Sequence, residues 1–435
     1  MKLVEKVKKY LDEINRNDKQ GKKINAFLYI NPNALKEAQE IDAKAKKGRL
    51  YGYVFGIKAN INVKGMPISC GSKVLENYYG TYDATVIEKI KKEDGLIIGI
   101  CNCDEFTCGS SGEHSAYGAT RSPKALDRVA GGSSSGSAAS VSAGFCDVSL
   151  GSDTGCSIRT PASNCGVVGV KPSYGFVSRY GLVDLSMSLD QIGPIGKNVE
   201  DVALVLDVIK GKDDKDTISF ESEKIELKKE GKVKIGIIVI KGVDKRIQEL
   251  FDEKVREAVK KNGWKVEDIE IKHIELAVQT YYPLVYSEFY SATRRFDGRG
   301  YGYKIEEKCG EEVLRRILGG SVITKAEFAG QYYEKSLKVK ELIKNEFADA
   351  FKKVDCIMLP TVPSLPWKIG DKVKVEDEYA YDALTIPANL SGICSVSIPM
   401  GEVKEGSEKI PVGMQVMCAR GEEGKMLSIA KMVLQ

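Results

Sequence analysis

Residues 131 to 161 read GGSSSGSAASVSAGFCDVSLGSDTGCSIRTP, and this segment gives the clearest indication of the fold. A glycine-rich opening leads into SAASVSAGF, whose small residues suit a tightly packed helix, and VSLGSD follows as a short buried strand. The same density of serine and glycine also occurs in flexible linkers. The order of the pieces favours a folded helix and strand over a linker.

The predicted strand ends in a turn that is suited to catalysis. Asp153 to Ser157 reads DTGCS, and it is followed at once by Ile158-Arg159-Thr160-Pro161. Glycine ahead of a serine lets backbone N–H groups converge near the serine hydroxyl, which is the geometry that an oxyanion hole requires. Ser157 is therefore the candidate nucleophile.

Composition narrows the class of protein. The 435 residues include 65 Lys and Arg against 61 Asp and Glu, with both signs interspersed, so the chain lacks the basic stripe expected of a nonspecific nucleic-acid binder. The charged N-terminus and the absence of a run of about 18 apolar residues predict a soluble, intracellular protein with no signal peptide and no membrane span. Eleven cysteines without paired CxxC motifs indicate free thiols in a reducing cytosol.

Strand and helix patterns alternate along the chain, which predicts an α/β fold. The predicted helices are 3–16, 84–93, 199–209, 244–261 and about 425–434. The predicted strands are 51–63, 96–100 and 233–240, with three further candidates near the C-terminus in DCIMLPTVPSLP, YDALTIPANLSGICSVSIP and PVGMQVMC.

Three further features of the sequence bear on the chemistry, and two of them allow more than one interpretation from the residues alone. Lys58 is the one charge in the apolar segment 51–63, and an isolated lysine in such a run more often extends to the surface than serves catalysis. The chain has only two histidines, His114 and His273, so a Ser-His-Asp triad or a histidine-rich metal site is hard to assemble. The aromatic and arginine-rich stretch Tyr281 to Tyr303 fits a ligand cleft and ordinary core packing equally well.

Three separated segments resemble the amidase signature family of serine hydrolases. They are FGIKANINVKG around Lys58, GGSSSGSAA around Ser133 and SLGSDTGCSIRTPA around Ser157, with 24 positions between the two serines as in that family. The resemblance implies one amidase domain over 1–435, with a large central mixed β-sheet covered by helices on both faces. It implies a catalytic core at about 50–210 and 350–435, with an inserted or covering helical region at about 215–350.

The resemblance also implies a Ser-Ser-Lys triad, in which Ser157 is the nucleophile, Ser133 the bridging serine on a cis peptide bond and Lys58 the base. This interpretation replaces that of a surface lysine. The oxyanion hole that it implies is formed by the backbone N–H groups of Thr154, Gly155, Cys156 and Ser157. Two positions depart from the family pattern, since relatives commonly have glycine in place of Cys156 and asparagine in place of His114.

Further segments resemble one branch of the family, the A subunits of glutamyl-tRNA(Gln)/aspartyl-tRNA(Asn) amidotransferases, from about residue 25 to the C-terminus. These segments are CDEFTCGSSGEHSAYGATRSP, SEFYSATRRFDGRGYGY, EEVLRRILGG and YDALTIPANLSG. The likeness implies glutamine as the substrate, with Asp382 binding its amino group, Arg316 its carboxylate and Tyr282 bordering it. A bidentate arginine suits a carboxylate and an aspartate suits an ammonium, although each could instead form a surface ion pair, which contributes little to stability.

Amidation of a carboxylate also needs ATP, and the sequence contains no GxxxxGK[ST] motif and no Rossmann fingerprint. The resemblance therefore implies no cofactor in this chain, with ATP and Mg²⁺ on the B subunit, which also receives Glu-tRNA(Gln) or Asp-tRNA(Asn). The C subunit would complete a cytoplasmic heterotrimer in which a tunnel carries ammonia. The alternatives are a stand-alone amidase for a small or fatty amide, and a non-enzymatic or tRNA-binding subunit, which would leave the triad unexplained.

Overall fold

The computed structural model describes residues 2–300, 303–328 and 330–435. Its α-helices are α1 (Leu3–Asn17), α2 (Ala34–Ala43), α3 (Thr85–Lys92), α4 (Ser135–Ser142), α5 (Arg159–Cys165), α6 (Val199–Ile209), α7 (Lys245–Asn262), α8 (Ala277–Thr293), α9 (Ile305–Lys308), α10 (Glu311–Ile323), α11 (Tyr333–Ala350), α12 (Val375–Ala380), α13 (Ile386–Leu390) and α14 (Glu423–Leu434). Short 3-10 turns lie at Glu105–Thr107, Ile274–Leu276 and Ala326–Phe328.

The strands are β1 (Phe27–Ile30), β2 (Val54–Lys58), β3 (Leu96–Cys101), β4 (Arg121–Ser122), β5 (Ala125–Val129), β6 (Val148–Asp153), β7 (Val168–Lys171), β8 (Gln191–Gly196), β9 (Lys234–Ile237), β10 (Lys265–Asp268), β11 (Cys356–Pro360), β12 (Cys394–Glu405) and β13 (Glu408–Cys418). Within the described residues, eleven of them form one sheet in the order β1-β3-β2-β6-β8-β7-β12-β13-β11-β9-β10. The sheet is mixed, since β2 runs parallel to β3 and β6 whereas β8 is antiparallel to β6. The small pair β4-β5 stands apart.

Helices cover this sheet because its central strands are apolar on both faces. Successive side chains of a strand point to opposite faces. In β3, Ile97 belongs to one buried cluster, together with residues of α6, α7 and α14, whereas Ile98 belongs to a second cluster, with residues of α1, α2 and α4. The predicted α/β fold with a large mixed sheet flanked by helices is confirmed.

The segment 131–161 folds as its sequence pattern predicts, into α4, then β6, then a turn into α5. Strand β2 is shorter than the predicted strand 51–63 and ends at Lys58. Beyond Lys58 the chain folds into a turn, in which the N–H of Ile61 donates to the carbonyl of Lys58 over 3.0 Å. Lys58 therefore lies at the end of a central strand, where catalytic side chains of α/β enzymes are commonly placed.

The stretch 215–350, expected to be a helical cover, also contributes two strands, β9 and β10, to one end of the main sheet. The buried apolar residues of β9, Ile235 and Gly236, suit a strand next to β11. The rest of the stretch is mainly α7, α8, α10 and α11. Residues 301 and 302, part of the aromatic and arginine-rich stretch, lie outside the described residues. Across the described part of the chain, the helices are too short or too polar to span a bilayer.

Candidate active site

Lys58 lies at the C-terminal end of β2 and is fully buried. Its Nζ is 2.8 Å from Ser133 Oγ, 2.9 Å from Ser152 Oγ and 3.3 Å from the Ser152 carbonyl oxygen. Burial lowers the pKa of Lys58, because an apolar interior disfavours the ammonium, and nearby acidic groups only partly oppose this effect. A neutral amine at this position has a lone pair with which to accept a proton.

Ser152 and Asn60 restrict how the Lys58 amine can be oriented. The Ser152 carbonyl can only accept, so it takes an N–H of Lys58. The Asn60 side-chain amide donates to Ser152 Oγ over 3.1 Å, and that hydroxyl lies 2.9 Å from Lys58 Nζ. When both N–H groups of a neutral Lys58 point to Ser152, the lone pair is left facing Ser133. The hydroxyl and the carbonyl of Ser152 thus orient Lys58 so that it can act as a base toward Ser133.

Ser133 follows a cis peptide bond to Gly132 and is completely buried ahead of α4. Its carbonyl accepts the backbone N–H of Asp104 over 3.2 Å. The Asp104 carboxylate in turn accepts the N–H groups of Gly112 (3.0 Å) and His114 (2.9 Å). Burial raises the pKa of Asp104 to about 6, against the opposing effect of His114. Asp104 therefore ties the loop 110–114 to the serine.

Ser157 lies in the turn between β6 and α5, and its side chain is buried. Its carbonyl accepts the N–H of Ser134 over 3.0 Å, which brings the turn against the start of α4. The Ser133 and Ser157 hydroxyls, both in the described part of the chain, are not hydrogen-bonded to each other. The structure thus joins Lys58 to Ser133 directly, and joins Ser157 to this pair through the backbone of Ser134.

The turn before Ser157 presents unused donors. Among the described residues no acceptor is bonded to the backbone N–H groups of Thr154, Gly155, Cys156 and Ser157. A Cβ added to Gly155 would lie 2.9 Å from Tyr281 Oη, so this position has room only for glycine. Four free N–H groups beside a serine hydroxyl are the donors that an oxyanion needs.

Cys156 fits this turn without backbone strain, because it is absent from the residues with positive φ. Its thiol is 3.7 Å from Ser157 Oγ. Burial and the carboxylates of Asp382 and Asp153 raise the pKa of the Cys156 thiol well above its ordinary value. A thiol held in its neutral form is a poor nucleophile, which leaves Ser157 as the better candidate.

A buried ion pair holds the turn in place. The Arg159 guanidinium bonds both carboxylate oxygens of Asp153, at 3.0 and 3.1 Å, and also the Gly155 carbonyl at 2.9 Å. Burial opposes ionisation of Asp153, but Arg159 outweighs it and lowers the pKa of that carboxyl. Because both partners are fully buried, loss of either one would leave an uncompensated charge beneath the turn.

We call the group formed by Lys58, Ser133, Ser152 and Ser157 the catalytic side of the site. The facing group, which we call the recognition side, consists of Tyr282 on α8, Arg316 on α10 and Asp382 just after α12. These are the three residues expected to bind substrate. The Cys156 thiol lies near the Asp382 carboxylate, and the Tyr281 ring packs against Gly155.

Arg316 is buried and only partly paired. Its Nε donates to Glu312 Oε1 over 2.8 Å, and Glu312 is the one hydrogen-bond partner of this guanidinium among the described residues. The guanidinium lies 5.7 Å from the centre of the Tyr282 ring, which stacks on Tyr379 at 3.9 Å. Tyr379 Oη also donates to Glu312 Oε1 over 2.9 Å. The aromatic rings and Glu312 fix the arginine and leave its terminal nitrogens available to a ligand.

Asp382 is buried with one oxygen unpaired. Its Oδ1 has no hydrogen-bond partner in the described part of the chain. Burial raises the pKa of Asp382 to about 7, and the negative charge of Glu378 adds to this rise, against the effects of Cys156 and Arg316. Buried polar atoms are nearly always bonded, so this carboxylate oxygen is available to a cationic or N–H partner on a ligand.

Sequence reasoning missed several residues that shape the site. Glu312 precedes Arg316 by four residues on α10, and this helical spacing was a usable signal for their pairing. Ser152, Asn60 and Tyr379 gave no comparable signal, since their partners are distant in sequence. No group of three or more His, Cys, Asp or Glu side chains in the described ranges could hold a metal ion.

The chain is similar to known amidases over nearly its whole length. The amidase family model matches residues 5–427. The chain is 52% identical to the A subunit of glutamyl-tRNA(Gln) amidotransferase from Methanocaldococcus jannaschii over 430 residues, 98% of each chain. It is 46% identical to the subunit of the same name from Methanothermobacter thermautotrophicus, over 98% of this chain and 94% of that one.

Solved structures give the same result. The crystal structure of the A subunit of glutamyl-tRNA(Gln) amidotransferase from Thermotoga maritima superposes with a TM-score of 0.85 at 38% identity, covering 99% of this chain and 91% of the other. Native peptide amidase from Stenotrophomonas maltophilia superposes with a TM-score of 0.87 at 26% identity, covering 100% and 93%. The chain therefore belongs to the amidase family.

Proposed function

We propose that this chain is the glutamine-hydrolysing A subunit of a tRNA-dependent amidotransferase. The observation that carries the proposal is the buried recognition side, where Asp382 Oδ1 is unpaired and Arg316 is paired only through Glu312. An ammonium and a carboxylate on one small molecule would satisfy both groups. The relatives named as A subunits of glutamyl-tRNA(Gln) amidotransferase, similar over almost the whole chain, support glutamine as that molecule.

Catalysis begins with the transfer of two protons. Neutral Lys58 takes the proton of Ser133, and Ser133 takes that of Ser157 as Ser157 Oγ attacks the side-chain amide carbon of glutamine. The 2.8 Å contact between Lys58 and Ser133 supports the first transfer, and the second requires the Ser133 and Ser157 hydroxyls to approach each other. Ser152 and Asn60 are positioning residues that orient the lysine.

The tetrahedral oxyanion is stabilised by the N–H groups of residues 154 to 157, and one such donor contributes roughly 2.7 to 4 kcal/mol. When this intermediate collapses, the C–N bond breaks and a proton from the Lys58-Ser133 pair passes to the leaving nitrogen, so that ammonia departs. Water then attacks the γ-glutamyl ester on Ser157 and releases glutamate. The net reaction converts glutamine and water to glutamate and ammonia.

The ammonia is used elsewhere in the complex. We assign ATP, Mg²⁺ and Glu-tRNA(Gln) or Asp-tRNA(Asn) to the B subunit, with the C subunit completing a cytoplasmic heterotrimer. The absence of a phosphate-binding motif from the sequence supports this division of labour. A pull-down from native extract that recovers a protein resembling the B subunit would support it directly.

Arg316→Ala distinguishes this function from that of a stand-alone amidase. We expect glutamine binding to weaken by about 2 to 5 kcal/mol, because the substrate carboxylate is left buried and unpaired. Hydrolysis of a simple amide without an α-carboxylate should be spared. With partner and external ammonium present, tRNA amidation should return to the parent level, because ammonia then bypasses this site.

The measurement compares glutamine-dependent with ammonium-dependent tRNA amidation for the parent and the variant. Thermal unfolding of both proteins is the control for stability, because Arg316 also neutralises Glu312. Equal losses with both nitrogen donors would mean that Arg316 supports the fold or the assembly. A parent protein that hydrolyses simple amides and ignores glutamine would establish the stand-alone amidase.

A further inference from the structure

His114 and Glu378 form a contact that links the two sides of the site. His114 Nε2 lies 2.7 Å from Glu378 Oε1, although 264 positions separate the two residues along the chain. The Glu378 side chain is mostly buried, and that of His114 is about one-third exposed. The proposed mechanism uses neither residue.

The His114 end of this contact is fixed to the catalytic side. The His114 N–H donates to Asp104 Oδ1 over 2.9 Å, and the Asp104 N–H donates to the Ser133 carbonyl over 3.2 Å. The imidazole also packs against Gly109, where an added Cβ would lie 2.7 Å from His114 Cδ2. Two hydrogen bonds therefore connect the backbone of His114 to that of Ser133.

The Glu378 end belongs to the recognition side. Glu378 lies on α12, directly before Tyr379, whose ring stacks on Tyr282, and four positions before Asp382. No residue of α12 is fully buried, and Tyr379 is its one side chain that packs against the neighbouring apolar cluster, so apolar burial contributes little to the position of the helix. The helix depends instead on a few polar and aromatic contacts, of which the one to His114 reaches the catalytic side.

The contact is an ion pair at neutral pH. Burial disfavours the imidazolium, but the hydrogen bond to Glu378 and the charges of Asp104, Glu378 and Glu312 outweigh it and raise the pKa of His114 to about 9. The charged groups with the largest effect on the ring, Asp104, Glu378 and Glu312, are thus all acidic. A charged pair with a 2.7 Å separation holds its two elements more firmly than a neutral contact does.

We propose that the His114–Glu378 ion pair is a positioning contact that fixes α12, and with it Tyr379 and Asp382, relative to the catalytic serines. The inference rests on the proposed glutaminase function. The pair sets the affinity for the charged end of glutamine and leaves the proton transfers at Lys58, Ser133 and Ser157 unchanged. The hydrolysis of a substrate without that charged end should not depend on the position of α12.

The test measures ammonia release from glutamine by the full chain together with the subunits that co-purify with it. His114→Ala and Glu378→Ala should each raise KM roughly five- to tenfold, with kcat within about twofold of the parent, because alignment is lost and chemistry is retained. The KM of the double variant should exceed that of either single variant by less than about twofold, since either single change already breaks the pair. Hydrolysis of a small primary amide without α-amino and α-carboxylate groups should be unaffected.

His273→Ala is the matched control. It removes the other histidine of the chain and breaks a second histidine–glutamate contact, from His273 Nδ1 to Glu346 Oε1 at 2.5 Å, which includes no residue of the catalytic side or the recognition side. Its KM for glutamine should equal that of the parent. An unchanged KM in the His114 and Glu378 variants, a kcat loss shared by both substrates, or multiplicative effects in the double variant would overturn the proposal. A parent that releases no ammonia from glutamine would instead refute the proposed function.

Discussion

The catalytic side and the recognition side of the site differ in how completely their polar groups are paired. On the catalytic side, Lys58 Nζ already has three partners on Ser133 and Ser152. On the recognition side, Asp382 Oδ1 has no partner among the described residues and Arg316 bonds only Glu312. Unpaired buried groups are unfavourable unless a ligand completes them. The Lys58 amine is therefore held in place before substrate binds, whereas the recognition side is completed by substrate.

The largest loss of activity should come from replacing Lys58 on the catalytic side. Lys58→Ala should lower kcat for glutamine hydrolysis roughly 10³-fold or more, because Lys58 is the one hydrogen-bond partner of the Ser133 hydroxyl among the described residues. Lys58→Arg should not restore activity, since a guanidinium stays protonated. Steady-state ammonia release measures both variants.

The same residue predicts the pH profile. Burial lowers the pKa of Lys58, so the amine is neutral above that lowered pKa and becomes protonated as the pH falls through it. Activity should therefore fall on the acidic side of the kcat profile. A rate that stays level down to the lowest pH at which the protein remains folded would argue against a neutral lysine base.

A smaller effect on the catalytic side should follow from Ser152→Ala. Removing this hydroxyl deletes one of the bonds that orient Lys58, so kcat should fall roughly 10- to 100-fold with little change in KM. Ser149→Ala is the matched control, because Ser149 is a buried serine of the same strand that bonds the Ser137 carbonyl at 2.7 Å. Equal kcat losses in both variants would indicate a general packing defect.

The smallest effect concerns the recognition side and appears in KM. Asp382 has a pKa raised to about 7, so its carboxylate becomes protonated as the pH falls through 7 and no longer attracts an ammonium. KM for glutamine should rise about tenfold from about pH 8 to about pH 6, as the ionised fraction falls. The KM of Asp382→Asn should be high at both values. If the KM of Asp382→Asn still rose about tenfold between about pH 8 and about pH 6, the titrating group would be one other than Asp382.

The two sides also differ in how far the sequence could predict them. The order of residues in 131–161 predicts α4, β6 and the turn at Ser157 because these elements are local. Residues Lys58 and Ser152 are 94 positions apart, and Tyr282 and Tyr379 lie on separate helices, so no local pattern indicates their contacts. The family resemblance supplied the proposed roles of Lys58, Ser133, Arg316 and Asp382, and those roles remain predictions.

The fold, like the site, could be predicted from the sequence only where local patterns determine it. Its α/β class follows from alternating strand and helix patterns, whereas the addition of β9 and β10 to the main sheet depends on long-range pairing with β11. Helical segments dominate 215–350, and two four-residue strands give a weak signal among them. The predicted division into core and covering regions therefore remains a prediction.

The most direct test is to identify the residue that carries the acyl group. The complex is mixed with isotope-labelled glutamine, quenched in acid within the first turnover, digested and analysed by mass spectrometry. We predict a γ-glutamyl ester on Ser157, and its loss in Ser157→Ala together with ammonia release from glutamine, while ammonium-dependent amidation continues. An adduct on Cys156, 3.7 Å away, or near-parent ammonia release by Ser157→Ala would contradict the assignment of Ser157 as nucleophile.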